Sequence, residues 1–287
     1  MKTGPPETPP RLLTIAGSDS GGGAGIQADL KTFAAHGAYG MSAVTAITAQ
    51  NTRAVDAIHP VPVPVVTAQI DAVFDDLGVD AVKIGMLASA ELVQAVAERL
   101  AAHRPRHVVL DPVMVAKSGD PLLEDTAVTA LVEELLPLAT VVTPNLPEAA
   151  RLTGLDLTAP TVDQMAAAAR LVAAMGNRGE PSQASPAVLL KGGHGDGEIL
   201  TDLLFDGGEQ HRYDHPRIQT RSTHGTGCTL SSAVAARLAR GDALPIAVGG
   251  AIDYLWGAIR NAQPLGGGHG PVNHLYLVSA EALGGGE

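Results

Sequence analysis

Short apolar runs alternate with longer segments of helical periodicity along most of the chain. The run at residues 12–16 (LLTIA) predicts a buried strand, and a glycine cluster follows it directly. At residues 26–35 the apolar positions recur at spacings of three and four, which predicts a helix with one apolar face. The same alternation predicts further strands at residues 42–49, 81–84, 107–110, 140–143 and 187–190, and a polar two-strand stretch at 198–213. It predicts further helices at residues 65–77, 90–102, 126–136, 162–175, 226–239 and 244–261.

This order of elements predicts an α/β fold. Strands that alternate with helices of this length form βαβ units, which build a central, mostly parallel sheet flanked by helices on both faces. Residues 1–10 are proline-rich and predict a flexible lead. The loop-like segments at 176–186 and 265–270 are too short for interdomain linkers, so residues 11–283 are predicted to form a single domain.

Composition narrows the class of partner. Hydrophobic residues make up 45% of the chain and charged residues 17%, which is typical of a folded globular protein. The formal net charge is −11, and no dense cluster of lysine and arginine supplies the basic surface that a phosphate backbone requires. Aromatic residues make up only 3%, which also argues against a surface that stacks bases. We therefore expect no nucleic-acid partner.

Cysteine content and hydropathy bear on the compartment. Cys228 is the only cysteine, so an intrachain disulfide is excluded and a reducing compartment is expected. Prolines stand where a signal peptide needs an apolar core, and no apolar stretch is long enough to span a bilayer. These features predict a cytoplasmic protein with no membrane partner.

Polar and glycine-rich segments follow the predicted strands one after another. In an open α/β sheet, ligands bind in the crevice at the carboxyl ends of the strands. The segments are AGSDSGGGAG at residues 16–25, KIGM at 83–86, DPVMVAKSGD at 111–120, PNLPE at 144–148 and KGGHGDG at 191–197. Their common position predicts one site at this edge of the sheet.

The segment STHGTGCTL at residues 222–230 is the most informative one. Gly225 and Gly227 allow the backbone to approach an anion closely, while Thr226 and Cys228 open a helix whose N–H groups and dipole attract negative charge. A phosphoryl group in transfer is a suitable occupant. A glycine-rich turn that only caps a helix fits the pattern equally well.

Cys228 lies in the first turn of this predicted helix, where the thiolate form is favoured. It is a candidate to accept a proton from a substrate hydroxyl or to line the acceptor site. The alternative is a small buried apolar residue, which is the common role of a free cysteine.

Carboxylates and lysines at other strand ends predict a site for Mg²⁺ and phosphates. Asp111 and Glu148 each follow an apolar strand, where two carboxylates can hold Mg²⁺ directly or through water. Lys191 ends another strand before two glycines and can reach phosphate oxygens, as can Lys117 from its loop. The alternatives are a turn cap for Asp111, the first turn of a helix for Glu148 and a solvated loop charge for Lys117.

Two polar residues near apolar segments are candidates to bind a heterocycle. Gln50 and Asp29 can form hydrogen bonds with ring nitrogens and an amino group, although Asp29 also fits an ordinary polar position on a helix. Other chemistries lack their motifs, because no Walker-type P-loop, dinucleotide GxGxxG, zinc-binding HExxH or GxSxG nucleophile sequence occurs.

Together these segments resemble a known family. The motifs AGSDSGGGAGIQADLKT, TAITAQNT, KIGML, VLDPVMVAKSGDPLL, TPNLPEAARLTG, LLKGGH and THGTGCTLSSAVAA occur in the order found in the hydroxymethylpyrimidine/phosphomethylpyrimidine kinases of the ribokinase-like superfamily. The resemblance extends over about residues 12–272. It implies a ribokinase-like fold and the ATP- and Mg²⁺-dependent phosphorylation of 4-amino-5-hydroxymethyl-2-methylpyrimidine, and then of its monophosphate, in thiamine biosynthesis.

The resemblance also implies roles for individual residues. Gln50 corresponds to the glutamine that reads the pyrimidine, and Asp29, Gly17, Met86 and Val113 correspond to other positions of the pyrimidine pocket. The phosphate and metal positions are Asn145, Glu148, Lys191, Lys117 and Asp111, and the anion hole extends from Gly225 through Thr226 and Gly227 to Cys228. A homodimer is implied by the superfamily alone, and assistance by a monovalent cation is left open.

Two rival functions remain open on the sequence. A pyridoxal-type kinase would use the same apparatus on a pyridine alcohol. A ligand-binding regulator would keep the fold without catalysis, but the retention of Asp111, Glu148, Lys191 and the intact GTGC segment argues against it. One local departure is that the loop at residues 179–186 is longer than the family pattern leads us to expect.

Overall fold

The computed structural model describes residues 8–114, 124–177, 185–193 and 197–278. The strands, in chain order, are β1 Arg11–Ala16, β2 Tyr39–Val44, β3 Ala46–Gln50, β4 Val55–Pro60, β5 Ala81–Ile84, β6 Val108–Leu110, β7 Val141–Val142, β8 Ala187–Leu190, β9 Ile199–Asp206 and β10 Glu209–Pro216. The helices are α1 Gly25–Ala35, α2 Val63–Asp76, α3 Ala90–His103, α4 Asp125–Ala130, α5 Leu146–Thr153, α6 Val162–Met175, α7 Thr226–Ala239 and α8 Leu244–Arg260.

Within the described residues, eight strands form one sheet in the order β10-β9-β8-β7-β6-β5-β1-β2. In this sheet the neighbours among β2, β1, β5, β6, β7 and β8 pair in parallel. Strand β9 pairs antiparallel with both β8 and β10. The prediction of a mostly parallel central sheet is therefore confirmed. The prediction of a single domain over residues 11–283 stays a prediction, and residues 1–7 and 279–283 lie outside the described part.

Helices cover both faces of the sheet because side chains along each strand point alternately to the two sides. Leu13 and Ile15 of β1 join one apolar core with α2, α3, α4 and α6, whereas Leu12 joins the opposite core with α1, α7 and α8. Strand β5 repeats the pattern, with Val82 in the first core and Ala81 in the second. This arrangement confirms the α/β class and brings the N-terminus of α7 to the carboxyl edge of the strands.

The single strand predicted at residues 42–49 is wrong. Strand β2 ends at Val44, and after Thr45 the chain enters β3, which pairs antiparallel with β4 in a separate two-stranded sheet. The side chain of Thr45 donates a hydrogen bond to the carbonyl of Met86 at 2.8 Å, so the residue between the strands is held by the loop after β5. A continuous β-rich run gives no sign of such a change of sheet, and the largely exposed β4 lacks the alternation that predicts a strand.

Two helical details differ from the prediction. The helix expected at residues 126–136 begins as α4 but continues as a π-helical turn at Leu131–Leu135 and a 3₁₀ turn at Leu136–Leu138, where Pro137 ends the regular hydrogen bonding. Helix α5 was foreseen only as an alternative setting for Glu148.

Among the residues that the structure describes, no helix has both the length and the apolar character that crossing a membrane requires.

Candidate active site

The carboxyl ends of the strands open onto a cavity of about 700 Å³. The predicted residues that line it come from the carboxyl end of β3 and from the loops and helix starts that follow six other strands. They are Gly17, Gln50, Met86, Asp111, Val113, Asn145, Glu148, Lys191, Gly225, Thr226, Gly227 and Cys228. Lys117 lies outside the described residues. The expectation of one site at this edge is therefore met for every described candidate except Asp29.

The start of helix α7 forms the floor of the cavity. Gly225 precedes the helix with a φ of 78°, a left-handed conformation that favours glycine, and a Cβ at this position would overlap the carbonyl oxygen of Gly23. Among the described residues no side chain caps the first turn. A Cβ on Gly227 would lie 3.4 Å from Lys191 Nζ and 3.5 Å from Asp111 Oδ2, so the helix start, the ammonium and the carboxylate converge. This is the geometry of an anion site.

Lys191, which is partly exposed, and the buried Asp111 form an ion pair beside this turn. Lys191 Nζ donates to Asp111 Oδ1 at 2.9 Å, and Thr143 Oγ1 donates to the same oxygen at 3.1 Å. Burial alone would raise the pKa of Asp111, but the charges of Lys191 and Lys83 outweigh it and hold this pKa below its usual value. Burial opposes the charge of Lys191 too, yet Asp111 and Glu148 raise its pKa. Both groups are therefore charged at neutral pH.

Asn145 and Glu148 form the capping box of α5. The backbone N–H of Glu148 donates to Asn145 Oδ1 at 2.8 Å, and the backbone N–H of Asn145 donates to Glu148 Oε2 at 2.8 Å. Burial raises the pKa of Glu148 to about 7, although the charge of Lys191 opposes the shift. The alternative position in a first helical turn is thus correct, and the same residue also lines the cavity.

The described residues fit Mg²⁺ held together with phosphate oxygens. They contain no group of three or more histidine, cysteine, aspartate or glutamate side chains suited to a metal. Asp111 and Glu148 nevertheless offer hard oxygen ligands in one cavity next to Lys191. Mg²⁺ in kinases is commonly held by one or two carboxylates, substrate phosphates and water, which is the ligand set that this site can complete.

Asp29 lies beneath the cavity and has no exposed surface. Its carboxylate accepts hydrogen bonds from Thr14 Oγ1 at 2.6 Å, Lys83 Nζ at 2.9 Å and Ser232 Oγ at 2.7 Å. It is absent from the described residues that line the cavity, whereas Lys83 is among them. The contact with a heterocycle expected for Asp29 is therefore not supported by its position, because its oxygens already bind three internal donors.

Cys228 lines the cavity, but its thiolate is not favoured. Burial raises the pKa of the Cys228 thiol to about 11, and the nearby charge of Lys83 only partly opposes this effect. Desolvation of the sulfur thus opposes the thiolate that the helix N-terminus leads us to expect. The thiol is protonated at neutral pH.

The end of the cavity near Gln50, called the Gln50 end, is walled by apolar groups. Ser20 fixes the backbone of Gln50, since its hydroxyl donates to the Gln50 carbonyl and accepts from the Gln50 N–H, both at 2.7 Å. A Cβ on Gly17 would lie only 2.7 Å from Met86 Cε, so the absence of a side chain lets Met86 cover this loop. Val55 and Ile58 of β4 add apolar walls that sequence reasoning missed.

The opposite end of the cavity was not predicted from the sequence. It is lined by apolar and aromatic residues of the β9–β10 region and helix α8, namely Leu200, Pro216, Ile218, Leu255, Trp256 and Ile259. Asp19 and His224, with His224 Nε2 at 2.8 Å from Asp19 Oδ2, also line the cavity and join its two glycine loops. Both stand in motifs that the sequence singled out, which was the available signal.

The sequence matches a family model and known proteins over most of its length. Residues 19–273 match the family model described as phosphomethylpyrimidine kinase. The chain is 54% identical over 274 residues to a hydroxymethylpyrimidine/phosphomethylpyrimidine kinase of Streptomyces coelicolor, covering 96% of this chain and 97% of that one. It is also 54% identical over 264 residues to the thiamine biosynthesis bifunctional protein ThiED of Geobacter sulfurreducens, covering 92% of this chain but only 52% of that protein.

Solved structures give the same fold. The ADP complex of a Bacillus subtilis pyridoxal kinase superimposes with a TM-score of 0.84 at 40% sequence identity, covering 94% of this chain and 98% of that one. The chain is thus similar both to hydroxymethylpyrimidine/phosphomethylpyrimidine kinases and to a pyridoxal kinase.

Proposed function

The chain belongs to the phosphomethylpyrimidine kinase family, and from this premise we propose that it phosphorylates 4-amino-5-hydroxymethyl-2-methylpyrimidine and then the resulting monophosphate, with ATP as donor, in thiamine biosynthesis. One observation supports the proposal most strongly. A single cavity joins the helix N-terminus at Gly225–Cys228 and the Lys191–Asp111 pair to the apolar Gln50 end. A phosphoryl group and a flat acceptor ring can therefore meet within it.

In this proposal the acceptor ring occupies the Gln50 end of the cavity. The side-chain amide of Gln50 can donate to and accept from the ring nitrogen and the amino group of a pyrimidine. Gly17, Met86 and Val113 supply the close backbone and the apolar walls, and the hydroxymethyl group points toward Cys228. A bidentate amide at one end and apolar walls around the ring fix both the position and the plane of the acceptor.

The nucleotide occupies the opposite end. The apolar and aromatic residues of the β9–β10 region and α8 suit a purine ring, and Lys191 with the N–H groups at Gly225–Gly227 suits the phosphates. Asp111 and Glu148 would hold Mg²⁺, with Asn145 fixing Glu148 and Lys117 reaching the phosphates from its loop. The ion supplies charge neutralisation on the transferred phosphoryl group.

The first transfer converts the alcohol to a monophosphate. The hydroxymethyl oxygen forms a bond to the γ-phosphorus, the bond between that phosphorus and the β–γ bridging oxygen breaks, and ADP leaves with the electron pair. The hydroxyl proton departs to Cys228 or to water. Since the Cys228 pKa is about 11, the thiolate is a strong base, although only about one molecule in ten thousand carries it at pH 7.

The second transfer needs no base. A phosphate oxygen of the rebound monophosphate is already ionised at neutral pH and attacks the γ-phosphorus of a second ATP. The two steps thus use the same cavity but make different demands on Cys228.

A coupled assay that follows ADP formation with the alcohol and the monophosphate as separate acceptors tests the proposal. We expect Mg²⁺-dependent turnover with both. Pyridoxal is the second candidate acceptor, since a pyridoxal kinase is structurally similar at 40% identity. A higher kcat/KM for pyridoxal than for the pyrimidine alcohol would contradict the substrate assignment. Pyrimidine binding without ADP formation would instead identify a non-catalytic regulator.

Three further expectations are part of the proposal. A homodimer predicts a molecular mass by light scattering of about twice the 29.2 kDa of one chain. A monovalent cation requirement would appear as a difference in kcat between K⁺ and a bulky organic cation at constant ionic strength. A cytoplasmic location follows from the reducing compartment expected for a protein whose only cysteine is Cys228.

A further inference from the structure

A buried lysine–carboxylate pair lies under the cavity, outside the residues that the proposed transfer uses. Lys83 and Asp29 both have zero exposure, and Lys83 Nζ is 2.9 Å from Asp29 Oδ2. Thr14 and Ser232 donate to the same carboxylate. The pair therefore connects strands β1 and β5 with helices α1 and α7.

The two charges are not equivalent with respect to the cavity. Lys83 is among the residues that line it and Asp29 is not. Ser232 stands four residues after Cys228, and residues four apart share one face of a helix. The pair consequently lies under the first turn of α7, with the cation nearer the cavity than its counter-ion.

The ammonium is held tightly at this position. A Cβ on Gly85 would lie 2.8 Å from Lys83 Nζ, so the backbone after β5 packs directly against it. Burial opposes the charge of Lys83, but Asp29 and the neighbouring acidic groups keep it protonated and raise its pKa. The positive charge is thus permanent across the working pH range.

Stability alone gives little reason for a buried pair of this kind. Desolvation of two charges offsets most of their attraction, and apolar replacements of similar volume are often neutral or stabilising. A fixed cation beside a site where negative charge develops, by contrast, lowers the barrier to the reaction.

We propose that Lys83 is a positioning residue for the transfer to the alcohol, with its ammonium fixed by Asp29 as a permanent positive charge beneath Cys228 and the acceptor hydroxyl. The inference rests on the proposed function. In the first transfer the O–H bond breaks, its proton passes to the Cys228 thiolate or to water, and its electron pair forms the new O–P bond, so partial negative charge develops on the acceptor oxygen above Lys83. In the second transfer the acceptor oxygen is ionised beforehand, so the same cation contributes less to the barrier.

Several charged groups face Cys228 and have to be considered together. Lys83 approaches from β5, Asp29 from α1, Asp111 from the end of β6 and Lys191 from the end of β8. Of these charges the one on Lys83 has the largest influence on the thiol, larger than the opposing influence of Asp29. Removal of both members of the pair is therefore expected to make the thiolate harder to form.

The test uses the double variant Lys83→Met with Asp29→Asn, which removes both charges. Thr14 and Ser232 bond to different oxygens of Asp29, so the asparagine oxygen accepts from one hydroxyl and its NH₂ group donates to the other, which keeps both contacts. Lys83→Arg retains the charge, and Ser232→Ala removes one donor to Asp29 while leaving both charges in place. Circular dichroism and thermal unfolding establish that each variant is folded.

Two measurements follow. For the double variant we expect kcat with the alcohol to fall roughly 30- to 100-fold and kcat with the monophosphate to fall less than about threefold. Because Cys228 is the only cysteine, iodoacetamide alkylation reports on this thiol alone. The alkylation rate at pH 9 should fall roughly three- to tenfold in the double variant. It should stay near the wild-type value in Ser232→Ala and Lys83→Arg.

Equal losses of kcat with both acceptors together with an unchanged alkylation profile would overturn the role of Lys83. Alkylation requires no turnover, so a wild-type protein without kinase activity would refute the proposed function separately.

Discussion

Lys191–Asp111 and Lys83–Asp29 are lysine–carboxylate pairs of equal length that differ in what surrounds the carboxylate. Each N–O distance is 2.9 Å. In the Lys83 pair the carboxylate accepts from Thr14, Lys83 and Ser232 and has no surface. In the Lys191 pair both residues line the cavity, and the second oxygen of Asp111 has only a long 3.4 Å contact with Ser231.

The two pairs differ in whether a carboxylate oxygen is available to a ligand and in whether the lysine can leave its carboxylate. A carboxylate that has no exposed surface and accepts from internal donors on both oxygens can hold a cation in place but is not placed to bind a ligand. A carboxylate with a weakly used oxygen facing a cavity can exchange its partner for a metal or let its lysine move to a phosphate. Similar pairs in one fold can therefore serve as a fixed charge and as a binding group.

The largest expected effect concerns the pair that faces the cavity. Lys191→Met should lower kcat/KM about 1000-fold with either acceptor, because the cation on the transferred phosphoryl group is lost in both steps. Steady-state kinetics with the alcohol and the monophosphate measure the effect. A loss restricted to the alcohol would mean that Lys191 acts as Lys83 is proposed to act, and the comparison of the two pairs would fail.

A matched control separates this effect from unfolding. Lys191→Met leaves Asp111 as a buried unpaired charge, which is strongly destabilising. Lys191→Met combined with Asp111→Asn removes the unpaired charge and should recover the melting temperature without recovering activity. Recovery of activity in this double variant would contradict a direct role for Lys191.

The second prediction concerns the thiol that lies between the two pairs. Cys228→Ala should lower kcat for the alcohol about 10- to 100-fold and kcat for the monophosphate by less than about threefold, since only the first transfer releases a hydroxyl proton. Cys228→Ser is the control that keeps a polar group of similar size. Equal losses with both acceptors would exclude a base role.

The third prediction concerns the Gln50 end of the cavity. Gln50→Ala should raise KM for the pyrimidine alcohol roughly tenfold and leave KM for ATP nearly unchanged, because the lost hydrogen bonds involve only the ring. Thr48→Val is a neighbouring control, since the Thr48 hydroxyl contacts Gln50 Oε1 at 3.3 Å but also donates to the Ser18 carbonyl. A parallel rise of the ATP KM in Gln50→Ala would place Gln50 outside the acceptor site.

The last prediction concerns stability and Glu148. Burial raises its pKa from 4.5 to about 7, so between these values the folded protein holds more protons than the unfolded chain. Its contribution to stability is fully present below pH 4.5 and is lost as the pH rises through 7, about 3 kcal/mol in total, because each unit of pKa shift corresponds to about 1.4 kcal/mol.

Glu148→Gln removes this dependence and keeps the helix cap, because glutamine can also accept the Asn145 N–H. Urea unfolding at pH 5 and pH 8 should show a smaller pH difference in the variant than in the wild type. An equal or larger difference in the variant would mean that another group titrates in this range.

Much of the fold and of the site was predictable because its signals are local. The strands at Ala81–Ile84 and Ala187–Leu190 and the helices at Val162–Met175 and Thr226–Ala239 have the predicted bounds. Apolar periodicity and flanking glycines define such elements without tertiary information. The motifs at strand ends predicted a shared site, since parallel strands bring their carboxyl ends to one edge.

Other features depend on contacts between distant segments. The change of sheet at Thr45 is held by the loop after β5, and the walls at Val55 and Trp256 belong to β4 and α8, which carry none of the motifs. Sequence patterns do not show which distant segments of the chain lie close together in space, so these residues were missed.

The sequence by itself determined which chemical groups stand at the carboxyl edge: a glycine turn, a thiol, lysines and carboxylates. Only the tertiary structure decided their state, because pKa and availability depend on burial and on neighbours from other elements. It turned Asp29 inward against Lys83, left Asp111 with an oxygen toward the cavity and kept the thiol of Cys228 protonated. Residue type is local, whereas solvation and charge pairing are properties of the packed molecule.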